Sequence, residues 1–260
     1  MCAAYGVESA TPLAGGQGTT YGNGDVVLKP VIDVEEAEWL AAVLFALPEP
    51  DRLRIIRPVT SASGEWVVGG WSAWQRLGGT PRSGAWRETV AVSRQFHEVV
   101  AAVPWSSAIA RHNPWARGDQ LAWGERGLDV PVPANLRPTL DRLRELSQPL
   151  DLSSQLVHRD VLHNVLFDDT LPPAVIDVSP AWRPARYAEA IVVVDAIGWD
   201  GAPPGAIDAL ADDEGVQLLV RATLFRLASA VVLCEDDPDR LDAERATYER
   251  VVDALECVLT

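Results

Sequence analysis

The chain has 260 residues, of which 48% are hydrophobic and ten are Trp, so it can bury a substantial core as one large domain or two smaller ones. Its formal net charge of −15 argues against non-specific binding to nucleic acid or to anionic membranes, because phosphate-rich surfaces would repel it. Three cysteines without a CxxC pair and an N-terminus without a secretory signal indicate a protein of the reducing cytoplasm.

Two glycine-containing segments come early in the chain. Residues 19–21 and 26–28 are β-prone and flank a Gly-Asn-Gly turn, which predicts a β-hairpin. Gly15, Gly16 and Gly18 precede this hairpin and would let a loop backbone approach phosphate groups closely, although paired glycines also mark ordinary turns. The segment lacks the Gly-Lys-Ser/Thr ending of a Walker motif.

Lys29 ends the second strand of this hairpin and is the only lysine among 22 basic residues. A compact ammonium differs chemically from a planar guanidinium, so the position is a candidate for function, with a chance surface lysine as the alternative. Residues 33–47 follow, with an acidic first turn typical of a helix N-terminus. Within this predicted helix Glu36 shares a face with Leu40 and Val43.

Residues 53–59 and 65–75 are predicted to be strands that complete an N-terminal unit of five strands and one helix. Residues 75–79, Gln-Arg-Leu-Gly-Gly, form a candidate linker after this unit. Helices are predicted over 86–103, where His97 is expected to be structural, and over 138–147. The segment 109–138, rich in Trp, Pro and Gly, shows no readable motif.

A second hairpin is predicted from two short apolar strands, 165–167 and 174–176, joined by a turn with Asp-Asp and Pro-Pro pairs. Asp160 and Asn164 precede its first strand and Asp177 follows its second, so pairing of the strands would bring two carboxylates and an amide together. Such a cluster suits Mg²⁺ and a hydroxyl awaiting deprotonation. An ordinary hairpin with polar ends is the alternative interpretation.

His158-Arg159-Asp160 with Asn164, followed by Ile176-Asp177, resembles the catalytic loop and the metal-binding Asp of the protein-kinase-like fold. The sequence is most similar to the aminoglycoside phosphotransferase-like kinases, in which His-Gly-Asp precedes an Asn, a hydrophobic run and Ile-Asp. The thirteen-residue interval from Asn164 to Asp177 is typical of that family. This chain has Arg159 in place of the usual Gly, and four residues from Asp160 to Asn164 where the family has five.

The resemblance implies an α+β, two-lobed fold, with residues 1–75 as a nucleotide-binding small lobe and 76–260 as a mainly helical large lobe. It implies transfer of the γ-phosphoryl group of ATP, with GTP as an alternative, to a hydroxyl of a small molecule, either aminoglycoside-like or a metabolite. Asp160 would orient or deprotonate that hydroxyl, and Asn164 and Asp177 would hold Mg²⁺.

The resemblance also assigns a nucleotide site to the first lobe. Lys29 would pair with the phosphates and with a helix carboxylate, for which Glu36 is preferred over Glu35 and Glu38. The early glycines would cover the phosphates. Adenine would lie against the backbone of the predicted hinge, unless that segment is a plain Gly-Gly linker. The predicted nucleotide-binding residues are Gly15, Gly16, Gly18, Lys29, Glu36, Trp74, Gln75, Arg76 and Leu77.

Downstream, Asp195 interrupts the apolar run 190–199 and resembles in context an Asp that binds the catalytic-loop backbone in kinase-like folds; a helix-end or surface carboxylate is the alternative. Six acidic residues between 195 and 214 suggest a rim that would attract a neutral or cationic acceptor, with solvated helix ends as the alternative. Residues 206–259 are predicted to form three helices. The apolar stretch 216–234 contains Arg221 and Arg226, which favours a buried helix over a membrane span.

Two rival functions are weighed against a small-molecule kinase. A protein kinase is disfavoured because only ten residues separate Asp177 from Tyr187, too few for a peptide-docking activation segment. A non-catalytic nucleotide-binding pseudokinase or scaffold protein would keep the fold while the shortened loop abolished turnover. The sequence identifies neither the acceptor nor the oligomeric state.

Overall fold

The computed structural model describes residues 2–13, 18–109, 112–235 and 237–259. Within these ranges an antiparallel sheet with one helix forms a small N-terminal lobe, and a mainly helical part forms the rest. The predicted α+β, two-lobed architecture is therefore confirmed.

The strands of the described chain are β1 (Thr11–Pro12), β2 (Tyr21–Asn23), β3 (Val26–Pro30), β4 (Arg54–Ile55), β5 (Pro58–Val59), β6 (Val67–Val68), β7 (Trp71–Gln75), β8 (Gln155–His158), β9 (Val165–Leu166), β10 (Ala174–Val175) and β11 (Pro180–Arg183). The α-helices are α1 (Val34–Ala46), α2 (Trp86–Val100), α3 (Pro114–Ala122), α4 (Arg137–Leu146), α5 (Ala185–Trp199), α6 (Asp213–Leu233) and α7 (Pro238–Leu259), and 3₁₀ helices cover Cys2–Tyr5 and Pro204–Leu210.

The small-lobe sheet has the order β1-β2-β3-β7-β5, with β6 also paired to β7. The predicted first hairpin is confirmed, because β2 and β3 pair antiparallel with Asn23 opposite Val26. Gly24 takes a φ of 55° in the turn, a conformation that glycine adopts without steric cost. Helix α1 begins at the Asp33 cap, whose side chain accepts a hydrogen bond from the backbone N–H of Glu36.

A second sheet crosses between the lobes. The predicted strand 53–59 is split: β5 joins the small-lobe sheet, whereas β4 pairs in parallel with β10, which in turn pairs antiparallel with β9. The β9–β10 pairing confirms the predicted second hairpin. A bridge between Thr80 and Phe167 extends the contact of the linker with this hairpin. The hairpin that precedes Asp177 is thus anchored to both parts of the chain.

The large lobe is built around α5 and α6. Helix α5 packs against α2, α6 and α7, and α6 packs against α3, α4, α5 and α7, so most of their residues are buried. This explains why both segments are almost uniformly apolar instead of showing one apolar stripe. By length and composition α6 would also pass as a membrane span, but it is mostly buried inside the protein, as expected for a core helix.

The predicted boundaries of three helices differ from the structure. Helix α1 is one residue shorter than predicted at each end. Helix α2 ends at Val100 and not at Val103, because the residue before Pro104 is disfavoured in helical conformation. Helix α4 begins and ends one residue earlier than predicted. The segment without a readable motif contains α3, which begins at Pro114 after the Asn113 cap.

Candidate active site

The two strands β8 and β11 pair antiparallel and position the loop that contains Asp160. From this loop the Asn164 Nδ2 donates hydrogen bonds to the backbone O of Asp160 at 2.7 Å and to its Oδ2 at 3.2 Å. The backbone N–H of Ile176 donates to the O of Asn164, which fixes the position of Asp177 relative to the loop. The structure therefore brings together the carboxylates and the amide that the sequence predicts as one cluster.

His158 connects the loop to the strand that leads to Asp177. Its Nδ1 accepts hydrogen bonds from the backbone N–H groups of Asp160 and Ser179, both at 3.2 Å, and its Nε2 lies 3.2 Å from the O of Ile176. This pattern fits a neutral ring with the proton on Nε2. Burial lowers the pKa of His158 to about 4, which is consistent with the neutral form.

His97 supports the same strand from α2. Its Nε2 accepts a hydrogen bond from the backbone N–H of His158 at 3.0 Å, and burial lowers the pKa of His97 to about 3. Because it contacts backbone groups away from the cavity, His97 has a structural position, as expected from the sequence.

Two residues of the cluster have left-handed backbone conformations that are unfavourable for side chains with a Cβ. His163 has a φ of 66° in the loop between Asp160 and Asn164, and Asp177 has a φ of 51° two residues after the end of β10. Each such residue costs on the order of 1–3 kcal/mol, and strained residues of this kind concentrate at functional sites. The His163 ring is held by Asp200, whose Oδ1 lies 3.1 Å from Nε2.

Lys29 reaches this cluster from β3. Its Nζ lies 2.6 Å from Oδ1 of Asp177, and the side chains are 21% and 53% exposed respectively. Glu36 lines the same cavity as Lys29, whereas Glu35 and Glu38 are exposed on the helix surface. The ion pair that the structure shows for Lys29 is thus with Asp177, and pairing with Glu36 stays a prediction.

Arg226 of α6 is the charged residue that sequence reasoning missed. Its Nη2 donates to Oδ1 of Asp160 at 2.7 Å, its Nε donates to Oδ1 of Asp195 at 2.7 Å, and Nη2 also contacts Oδ2 of Asp195. The expectation that Asp195 binds the catalytic-loop backbone is therefore wrong: Asp195 acts on the loop through the Arg226 guanidinium. Arg226 was visible in the sequence only as a charge inside an apolar helix.

This cluster of charges determines the protonation state of Asp160. Partial burial opposes ionisation of Asp160, but the charge and hydrogen bond of Arg226 outweigh it and hold the pKa of Asp160 below the usual value. Burial conversely raises the pKa of Asp195, and Arg226 counteracts this. The carboxylates of Asp195 and Asp160 raise the pKa of the Arg226 guanidinium, although burial of Arg226 by itself would lower that pKa. Asp160 is consequently a carboxylate at neutral pH, with a side chain 46% exposed.

A cavity of about 510 Å³ lies between the lobes beside this cluster. Its lining includes Thr19, Thr20, Lys29, Asp33, Glu36, Leu40, Ile56 and Trp74 from the small lobe and Trp115, Arg159, Asp160, Asp177, Val178 and Ser179 from the large lobe. The candidate phosphate-binding residue Lys29, the candidate metal ligand Asp177 and the candidate base Asp160 thus line the same cavity.

Several described residues of the predicted nucleotide site do not line the cavity between the lobes. Gly15 and Gly16 lie outside the described residues, and Gly18 is exposed with a φ of 71° next to the cavity-lining Thr19. In the hinge, the backbone N–H of Gln75 donates to the O of Arg57 and that of Arg76 to the O of Asp25. These two amides therefore have protein partners.

Of the remaining hinge residues, Trp74 is buried and lines the cavity. Gln75, Arg76 and Leu77 are not part of the cavity lining, and the predicted adenine contact at the hinge stays a prediction.

The acidic residues 195–214 do not form the suggested rim. Asp195 is buried against Arg226, Asp200 accepts from the Gly84 N–H and contacts His163, and Asp212 caps α6 and pairs with Arg186. None of the six lines the cavity between the lobes among the residues described. Most of these carboxylates therefore have structural partners, which removes the argument for a cationic acceptor.

No protein-family model matches the chain, and no curated protein sequence matches it significantly. Several solved structures do match over almost the whole length. A thermostable mutant of aminoglycoside phosphotransferase APH(4)-Ia, in ternary complex with ADP and hygromycin B, aligns with a TM-score of 0.61 at 16% identity, covering 96% of this chain and 95% of that chain.

Two further structures agree with this match. Spectinomycin phosphotransferase APH(9)-Ia in its AMP-bound complex aligns with a TM-score of 0.56 at 16% identity, covering 98% and 95% of the two chains. The GDP complex of aminoglycoside 2'-phosphotransferase-IIIa aligns with a TM-score of 0.54 at 15% identity, covering 96% and 92%. The chain has the fold of the aminoglycoside phosphotransferases.

Proposed function

We propose that the protein is a phosphotransferase that moves the γ-phosphoryl group of a nucleoside triphosphate to a hydroxyl of a small molecule. The observation that supports this most is the placement of Lys29, Asp160 and Asp177 around one cavity between the lobes, with Asn164 bonded to Asp160. In phosphoryl transfer the protein acts mainly by positioning the reactants and neutralising charge, and these side chains are suited to both.

Asp160 is proposed to orient the acceptor hydroxyl and accept its proton. Its Oδ1 is held by Arg226 and its Oδ2 by Asn164, yet an ionised carboxylate has about four acceptor positions and can take a further hydrogen bond. Because its pKa is low, Asp160 is a weak base that is charged throughout the neutral range. Such a base serves mainly to align the hydroxyl, which suits a loose transition state.

The donor atoms of Asn164 and Asp177 fit Mg²⁺. Both hydrogen bonds from Asn164 to Asp160 use its Nδ2, so its Oδ1 is the end left for a ligand, and the Asp177 carboxylate is half exposed at the cavity. Mg²⁺ is typically held by one or two such oxygens together with substrate phosphates. When bound there, it would neutralise charge on the β- and γ-phosphates.

Lys29 is proposed to bind the nucleotide phosphates. Its ammonium is within ion-pair distance of Asp177, so it lies where phosphate oxygens on an Asp177-bound metal would also lie. Whether ATP or GTP is used would depend on base contacts at the hinge. The relatives in fold include complexes with ADP, AMP and GDP, so both nucleotides belong in the test.

A non-catalytic nucleotide-binding protein is the second candidate. It is favoured by the shortened loop with its left-handed His163 and by the mutual neutralisation of Lys29 with Asp177 and of Arg226 with Asp160. The two candidates are separated by incubating the protein and Mg²⁺ with ATP or GTP and a panel of hydroxylated metabolites and aminoglycosides, with detection of phosphorylated products by mass. A product supports the phosphotransferase; tight nucleotide binding without product from any acceptor supports the pseudokinase.

A further inference from the structure

Arg159, which replaces the family's glycine directly before Asp160, is a buried cation at the junction of two cavities. It is only 3% exposed. Its backbone N–H donates to the O of Ser179 at 3.0 Å and its Nε donates to the Ser179 Oγ at 3.2 Å, which fixes the direction of the side chain. The guanidinium carbon lies 5.9 Å from the centre of the Phe225 ring.

The two terminal nitrogens of Arg159 are available to a ligand. Among the described residues they have no hydrogen-bond or ion-pair partner, and they are not among the buried polar atoms that are sealed from solvent. Arg159 lines both the cavity between the lobes and a second, polar cavity of about 150 Å³. The guanidinium therefore keeps some contact with solvent beside these cavities, although Arg159 as a whole is only 3% exposed.

The charge of Arg159 is compensated only at a distance. Burial lowers the pKa of its guanidinium, and the nearby charges of Asp119 and Glu36 partly offset this. Asp119 is already paired with Arg183, whose Nε and Nη2 both donate to its Oδ2. A buried cation without a direct partner is costly, and a bidentate oxyanion is the ligand that a guanidinium fork pairs with best.

The position of the second cavity favours the acceptor over the nucleotide as the source of that oxyanion. Its lining comes entirely from the large lobe. Besides Arg159 it includes Arg183, Asp119 and Glu125, and both of these carboxylates are ion-paired with Arg183. Lys29 and Asp177, the proposed phosphate and metal side chains, line only the cavity between the lobes. Since Asp160 directly follows Arg159, an acceptor whose hydroxyl meets Asp160 can place another group at the guanidinium.

We propose, on the basis of the proposed function, that Arg159 is an acceptor-binding residue and that the acceptor is a hydroxylated small molecule bearing a carboxylate or phosphate group. This class differs from the polycationic aminoglycosides, which present ammonium groups that Arg159 would repel. The six acidic residues between 195 and 214 are absent from the lining of the cavity between the lobes, whose carboxylates in the described chain are Asp33, Glu36, Asp160 and Asp177.

The test uses four sugars of similar size: neutral glucose, cationic glucosamine, gluconate with a carboxylate and glucose 6-phosphate with a phosphate. Their binding is measured by calorimetry on the protein with Mg²⁺ and saturating AMP-PNP, so that the nucleotide site is filled. We expect gluconate or glucose 6-phosphate, according to which oxyanion fits, to bind more tightly than glucose, and glucosamine to bind weakest.

Arg159→Met should weaken binding of the preferred anion by at least about 30-fold, because one partner of a buried charge pair is lost, while the affinity for AMP-PNP is unchanged. Arg159→Lys, which keeps the charge without the fork, should retain part of the preference and provides a folded variant if the Met form is unstable. Arg87→Met, which removes an exposed guanidinium stacked on Trp86, is the matched control and should change nothing.

The proposal is overturned if the anionic sugars bind no better than glucose, or if their preference survives Arg159→Met. It is equally overturned if the Arg159 variants weaken AMP-PNP, since the guanidinium would then serve the nucleotide. Arg159-dependent anion binding without phosphoryl transfer to any acceptor would support this proposal and count against the proposed function instead.

Discussion

Replacement of Arg226 by Met tests whether this buried guanidinium positions Asp160. The substitution keeps an unbranched apolar side chain but leaves Asp195, which is 9% exposed, without its counterion. Breaking a buried ion pair from one side costs about 3–5 kcal/mol of unfolding free energy. Little of this loss comes from Asp160, because its half-exposed carboxylate is solvated without Arg226.

The double variant Arg226→Met/Asp195→Asn separates the effects on stability and on activity. It removes the orphaned charge, and replacing a whole buried pair is often close to neutral, so most of the lost stability should return. Asp160 nevertheless lacks the Arg226 hydrogen bond in both variants. We therefore expect kcat to fall on the order of 10²-fold in both, as for a misplaced reacting group. The pKa of Asp160 should rise, moving the acid limb of the kcat profile to higher pH.

Urea unfolding and steady-state phosphoryl transfer measured from pH 4 to 8 provide the assay. A double variant that regains stability and also turns over like the wild type, with an unshifted acid limb, would refute the positioning role and leave Arg226 as a structural residue only.

Three other predictions concern the nucleotide site and the scaffold. Lys29→Ala should weaken Mg-ATP binding or its productive alignment while the melting temperature changes little, because its partner Asp177 is half exposed and remains solvated without it. Lys29→Arg should also be impaired. Normal turnover of the Ala variant would contradict this prediction. Asp177→Asn should weaken nucleotide binding in the presence of Mg²⁺ but not in its absence, as titration calorimetry can show. If the variant and the wild type bound nucleotide equally in the presence of Mg²⁺, Asp177 would not be a metal ligand. Burial lowers the pKa of His158 to about 4 and that of His97 to about 3, so below pH 6.5 the unfolded state binds more protons than the folded state. The free energy of unfolding should therefore fall as the pH drops from 6.5 towards 4, by about 3 kcal/mol for His158 alone. Unfolding free energies that stay flat over this range would show that the histidines are not buried in neutral form.

The parts of the site that the sequence predicts are those encoded by short intervals. The hairpin between Asn164 and Asp177 is specified by two apolar runs and a turn, and its pairing necessarily brings the flanking polar groups together. The strand that contains Lys29 follows from the Gly-Asn-Gly turn before it. In both cases the hydrogen bonds of a local hairpin determine the geometry, so the positions of these residues relative to each other can be predicted from their order in the chain.

The contact of Arg226 with Asp160 joins residues 66 positions apart, and no local pattern carries it. It depends on how α6 packs against α5 and on the rotation of α6 about its axis, which are properties of the folded core. The parallel pairing of β4 with β10 likewise joins distant segments, and it explains why the predicted strand 53–59 is divided between two sheets.

Helix α3 could have been found from a local signal. Asn113 accepts a hydrogen bond from the Ala116 N–H at 2.7 Å and Pro114 occupies the first turn, which is a recognised start of a helix. The Trp, Pro and Gly content of the surrounding segment obscured this start, because those residues more often indicate irregular structure.

The most direct test of the proposed phosphotransferase activity is the rate of phosphoryl transfer by wild type and Asp160→Asn to an acceptor phosphorylated in the screen. For Asp160→Asn we predict that kcat falls on the order of 10²- to 10⁴-fold, the range for a removed general base, while affinity for Mg-ATP changes little. An unchanged kcat would contradict the role of Asp160. Tight Mg-ATP binding by the wild type without transfer to any hydroxylated acceptor would contradict the phosphotransferase itself.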